Sequence, residues 1–224
     1  GYVLLIDGNF FMFLAVGFFA EIVDGSLGMA YGVICSGFLI YLGVPPALTS
    51  AGVHTAEVFT TGVSGLSHLH FQNVDKSLFF KLVFTGVAGS ILGAYALSKV
   101  LDGDLIKPFI AGYLLIVGLR MFYKQWNRIR IEFSPLKNVP IIGFLGGTLD
   151  AIGGGGWGPI VTSTILSRGG ANPKNTIGTV NTAELFVTFA SNGIFLVLVG
   201  EGSFKIILAL IIGEGESEKH GGKE

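Results

Sequence analysis

Two aspartates, each leading a glycine-rich interruption of an oily segment, are the residues best placed to do chemistry. Asp24 opens "DGSLGMAYG" and Asp150 opens "DAIGGGGWG". Glycine in a helix interior costs roughly 1 kcal/mol relative to alanine, so the run Gly153 to Gly156 predicts a break between two short helices, the second starting near Trp157. The first turn of a helix has unpaired N–H groups and about half a positive charge, which makes it a ready anion site. The chemistry expected is capture of a small anion by the backbone of Gly154, Gly155, Gly156 and Trp157. In the first element the same role falls to Gly28, Met29 and Ala30, with Met29 and Ala30 replacing two of the glycines. The plainer alternative is close helix packing, for which Gly28/Gly32 and Gly89/Gly93 have the usual spacing. Asp24 and Asp150 are expected either to cap the following half helix or to handle a proton or cation, since a charged carboxylate repels an anion.

A second pair of motifs lies downstream of each break. "HTAEVF" carries His54, Thr55 and Glu57; "NTAELF" carries Asn181, Thr182 and Glu184. An ionisable residue within a membrane span is a functional hypothesis by default, so Glu57 and Glu184 are candidates for proton coupling, with an interhelical structural bond as the alternative. His54 and Asn181 lie three residues before the glutamates, nearly one turn away on the same face. With Thr55 and Thr182 they are candidate ligand donors. A lone His can instead bond a neighbouring carbonyl, and a Thr can bond back to the preceding turn.

The elements that must position these residues are apolar. Half the chain is hydrophobic and only 13% is charged, with 19 Phe and 35 Gly in 224 residues, and the mean hydropathy is +0.69. Soluble domains carry about 25% charge, so the composition indicates an all-α, polytopic membrane protein. The net charge of −1 says nothing about partners, no basic stripe points to nucleic acid, and the single Cys35 rules out a disulfide framework within the chain. The N-terminus does not read as a cleavable signal peptide. Apolar segments run over 10–23, 27–42, 47–67, 78–98, 105–123, 139–149, 156–167, 175–199 and 204–213. A span needs about 20 residues; the third, fourth, fifth and eighth qualify. The short ones pair into two re-entrant hairpins, 10–42 and 139–168.

The two halves resemble each other. Asp24 aligns with Asp150, Tyr31 with Trp157 and Gly32 with Gly158 at an offset of 126; His54 aligns with Asn181 and Glu57 with Glu184 at 127. Residues 1–123 therefore form a first repeat and 139–213 an incomplete second, joined by a basic loop at 124–138 and followed by a polar tail at 214–224. Arg120, Lys124, Arg128, Arg130 and Lys137 put that loop in the cytoplasm by the positive-inside bias. A hairpin plus three spans per unit is an odd number of crossings, so the second copy is expected to be inverted, as in many secondary transporters.

"GVSG" at 62–65 looks like the Gly-x-Ser-Gly of rhomboid intramembrane proteases. A serine nucleophile needs a base in reach; in that family the base comes from a later helix, and after His70 the sequence offers only His220 in the tail, while His68, four residues from Ser64, has no evident orienting third group. "HLH" is far short of a zinc site. No enzymatic activity, cofactor or metal is expected.

The paired Gly-rich elements, the paired "TAE" segments and the basic middle loop resemble the TauE/SafE family of membrane transporters, or sulfite exporters, over about residues 10–212. The resemblance implies inner-membrane transport of small anions, often sulfur oxyanions or organosulfonates, by two related four-segment halves. Against that pattern "FKIILALIIG" at 204–213 corresponds to residues 77–86, and the second copy then reads as C-terminally truncated. The expectation is a multi-pass transporter in the cell membrane, working by alternating access. Its partners would be a small anion, the lipid bilayer and a coupling proton or cation. An anion channel and a non-transporting anion-binding or sensor protein are the alternatives. Substrate, direction and oligomeric state stay open.

Overall fold

A computed structural model describes residues 10–27, 30–126, 138–167 and 173–199. Every regular element among them is helical: α1 (Phe10–Leu27), α2 (Tyr31–Tyr41), α3 (Pro46–His70), α4 (Lys76–Tyr95), α5 (Gly103–Trp126), α6 (Val139–Gly153), α7 (Ser163–Ser167) and α8 (Pro173–Val199). Short π-helical turns extend α4 through Ala96–Val100 and precede α7 through Trp157–Thr162. The expected residues Gly28 and Met29, most of the basic loop, the partial helix 204–213 and the tail lie outside the described residues.

Local signals set the boundaries. Pro46 occupies the first turn of α3, where its missing N–H costs nothing. Asp75 caps α4 by accepting from the Leu78 N–H at 3.1 Å, and Asp102 accepts from Asp104 and Leu105 at the start of α5. Lys76–Val100, Gly103–Tyr123 and Pro173–Val199 are long and apolar enough to cross a membrane. α3, expected as a span over 47–67, has 25 residues but is less apolar than those three. It carries His54, Glu57, His68 and His70, and it buries both His54 and Glu57.

Both glycine-rich elements do interrupt the helix, a few residues later than the apolar borders suggest. α1 continues past Asp24 to Leu27, and α6 continues past Asp150 to Gly153. Gly153, expected in the break, is the last helical residue; the chain turns at Gly154, whose φ of +66° is left-handed and strongly favours glycine. Gly156 is extended, and the helix resumes at Trp157.

α6 lies against α4 through glycine. A methyl on Gly93 would sit 2.6 Å from the Thr148 carbonyl oxygen, and Thr148 Oγ1 donates to the Gly89 carbonyl at 3.1 Å. Small residues here let two backbones approach closely, which is the packing alternative raised for Gly89 and Gly93. α3 and α8 cross antiparallel: Thr55 Oγ1 reaches Asn192 Oδ1 at 2.7 Å, while Gly65 faces Thr182 and Gly62 faces Leu185. Trp157 is fully buried between α4 and α8, with Leu82, Val161, Val180 and Val187. α5 buries little of its own surface and presents Phe109, Leu115, Ile116 and Leu119 outward.

Candidate functional site

Each aspartate caps the half helix after its own break. Asp24 Oδ1 accepts from the Ala30 N–H and, at 3.0 Å, from the Tyr31 N–H. Asp150 Oδ1 accepts from the Gly156 N–H at 2.7 Å and the Trp157 N–H at 2.9 Å. The donors are six and seven residues downstream in both cases. A carboxylate is the strongest acceptor for such first-turn amides. The amides of Ala30, Gly156 and Trp157, read from sequence as anion ligands, are thus engaged by carboxylates of the chain itself.

The two interruptions meet. A methyl on Gly32 would lie 2.7 Å from Gly155 Cα and 2.9 Å from the Gly154 carbonyl oxygen. The carbonyls exposed by the second break are bonded by hydroxyls of the first half: Ser36 Oγ donates to Gly154 O, Ser50 Oγ to Ala151 O at 2.6 Å, and Tyr113 Oη to Gly155 O at 3.4 Å. An unpaired buried carbonyl is costly, so these bonds are what permit irregular backbone here.

Beside this junction is a cavity of about 270 Å³. Tyr31, Gly32 and Gly155 to Pro159 form its tip side; Glu57, Ser64, Asn181 and Glu184 form the other. Gly158 belongs to the first turn of its helix, where amides have no intrahelical acceptor. Five carboxylates border the cavity, those of Glu21, Asp24, Glu57, Asp150 and Glu184, and no Lys, Arg or His is among its described lining residues.

Of the residues singled out from sequence, Asp24, Asp150, Glu57, Glu184, Asn181, Gly155, Gly156 and Trp157 come together at the cavity. Ala30, His54, Thr55, Gly154 and Thr182 do not line it. His54 is fully buried between Ser50 O and Asp150. Thr55 Oγ1 lies 2.7 Å from both Ala51 O and the Asn192 side-chain amide, and Thr182 donates back to Gly178 O at 2.6 Å. Their polar atoms are committed to helix backbone and to neighbouring helices. The indole of Trp157 points into the core and donates to Val180 O at 3.2 Å. Ser64 is hydrogen-bonded to Asn181 Nδ2 at 3.3 Å, an amide that cannot serve as a base. Thr60, Thr61 and Ser64 join Glu57 along one face of α3. That stripe at steps of three and four is present in the sequence but is not among the expected lining; Glu21 is not either, and Tyr31 is marked there only as the counterpart of Trp157.

Residues 13–214 match the family described as sulfite exporter TauE/SafE. The chain is 41% identical over 196 residues to the "Probable membrane transporter protein YtnM" of Bacillus subtilis (strain 168), an alignment covering 84% of this chain and 65% of that protein. The chain therefore spans just under two thirds of that relative's length. No solved structure matches it. With the long apolar helices described above, these matches give a plain result: the chain is a multi-pass membrane protein that belongs to the TauE/SafE family.

Proposed function

We propose that the chain belongs to a transporter of small anions, of the sulfur-oxyanion or organosulfonate class, that works by alternating access in the cell membrane. The observation that carries this reading is the meeting of two broken-helix tips at one cavity flanked by Glu57 and Glu184. Irregular backbone at membrane depth is tolerated where it is buried or lines a cavity, and transporters bind their cargo at such places.

The two halves are read as inverted copies. The cap pattern repeats at the same downstream positions, Asp24 to Ala30 and Tyr31 against Asp150 to Gly156 and Trp157. The equivalent helices α3 and α8 run antiparallel, and their contacts exchange: Thr55 meets Asn192, while their counterparts Thr182 and Gly65 also meet. A pseudo-twofold axis in the membrane plane relates such copies and supports two alternating faces.

The acidic lining bears on the ion coupled to transport. Asp24 and Asp150 are held by backbone amides. An anion beside Glu57 and Glu184 is tolerated when those carboxyls are protonated, or when a cation accompanies it, so the solute travels with a proton or cation. The test is uptake of labelled sulfite into proteoliposomes containing the purified chain, under an imposed pH gradient. Accumulation that follows the gradient supports the reading. Binding without flux would favour a sensor, and flux unaffected by the gradient would favour a channel.

A further inference from the structure

Asp150 does more than cap a helix. Its Oδ2 lies 3.1 Å from His54 Nε2, with the two side chains 3% and 0% exposed. The other ring nitrogen, Nδ1, is 2.7 Å from the Ser50 carbonyl oxygen one turn back on α3. A carbonyl only accepts, so Nδ1 carries a proton. The Ser50 hydroxyl, 3.3 Å from the same nitrogen, donates instead to Ala151 O. A neutral imidazole would then turn a bare Nε2 toward a carboxylate oxygen, acceptor against acceptor. The contact requires one more proton, on Nε2 or on Oδ2.

We infer that His54 and Asp150 share this single proton, and that it latches the tip of the second broken helix to α3. His54 is a positioning residue: it holds Asp150, and Asp150 holds the amides of Gly156 and Trp157. With the proton, the pair is neutral overall. Without it, a buried carboxylate faces a lone pair, and the Ser50 bond to Ala151 O is left to hold the tip to α3 without that contact.

The latch is one-sided. The position equivalent to His54 in the second half is Asn181, whose amide has a fixed donor and bonds Ser64. The first tip, capped by Asp24, has no titrating counterpart there. Among the described residues, the ionisable groups that share the cavity with Asp150 are Glu21 and Asp24 from α1, Tyr31 from α2, Glu57 from α3 and Glu184 from α8, and Tyr113 from α5 bonds the neighbouring Gly155 O. None of these is a cation, so none substitutes for the missing proton.

The test needs no transported solute, so it can fail independently of the transport reading. Thermal unfolding of the purified full chain in detergent is compared across variants in one buffer. His54→Ala leaves the buried carboxylate oxygen without its partner and is expected to lower the melting temperature by about 6 °C or more, on the scale of breaking a buried pair. Asp150→Asn keeps an oxygen for the cap and turns an amide donor toward Nε2, so it needs no shared proton and is expected to lose clearly less. Equal losses in the two variants, or none in His54→Ala, overturn the latch. A second measurement uses the wild type alone: 15N-histidine spectra should show one ring with a protected Nδ1 proton. A buried His54 with its proton on Nε2 and a bare Nδ1 would also overturn it.

Discussion

Gly32 and Gly155 touch backbone to backbone, and Glu57 closes over the contact. A methyl on Gly32 would sit 2.7 Å from Gly155 Cα and 2.7 Å from Glu57 Oε1. The two tips meet here because neither residue has a side chain. Gly32→Ala must therefore push the tips apart, an overpacking cost of about 1–3 kcal/mol. The expected result is a lower melting temperature in detergent and loss of any oxyanion-induced thermal shift. Gly37→Ala, on the same helix, meets nothing within 4 Å. It should leave both unchanged or add roughly 0.5–1 kcal/mol, as alanine for an unconstrained helical glycine does. Equal effects at both positions would show that the junction is not tight.

The two caps look alike but should fail unequally. Asp24→Ala removes one acceptor from two amides, a loss of about 0.5–2 kcal/mol. Asp150→Ala removes the same acceptor and also strands the buried Nε2 of His54, which adds roughly 1–3 kcal/mol for an unsatisfied buried group. Unfolding measured side by side should rank Asp150→Ala clearly below Asp24→Ala. The opposite ranking would remove His54 from the account of the second tip.

The break after Asp150 and several of the residues near the cavity were legible because they follow from local chemistry. Four glycines disfavour a helix, and a carboxylate before a break is a natural cap. The roles of His54, Thr55 and Thr182 were not legible. Whether Thr182 faces a ligand or bonds back to Gly178 depends on which neighbour covers it, and α3 covers it through Gly65. Likewise Ser36, Ser50 and Tyr113 are unremarkable in sequence. They matter because tertiary packing brings them onto carbonyls more than 40 residues away. The acidity of the cavity was half visible: Glu57 and Glu184 stood out within their spans, but Glu21 did not, because only the fold brings α1 to the same space.

Trp157 anchors the second half helix, and its indole N–H is committed to Val180 O. The ring is fully buried, and a methyl on Gly86 would lie 2.6 Å from its Cη2. Trp157→Phe loses the hydrogen bond to Val180 O and part of the ring, a change of about 0.5–1.5 kcal/mol for the bond alone. Trp157→Ala opens a large hole, at about 3–5 kcal/mol. Folded yield and thermal unfolding should show the Phe variant close to wild type and the Ala variant severely impaired. If the Phe variant folds normally but loses oxyanion binding, the indole N–H is a ligand after all.

Glu57 and Glu184 should separate transport from its coupling. Both border the cavity, and Glu57 sits against the tip junction at Gly32. Glutamine imitates a protonated carboxyl in shape and charge but cannot release a proton. If an anion enters beside protonated carboxyls, wild-type uptake falls as pH rises and the carboxylates ionise. In Glu57→Gln or Glu184→Gln the anion still enters, and uptake becomes less sensitive to pH. In the double Gln variant accumulation against a gradient is lost, because neither residue carries a proton. Sulfite uptake in proteoliposomes at about pH 6 and about pH 8, with and without a pH gradient, checks this. A double Gln variant that still accumulates sulfite in step with the proton gradient would move the coupling site elsewhere, and the acidic lining would then have to be explained by a metal cation or by structure alone.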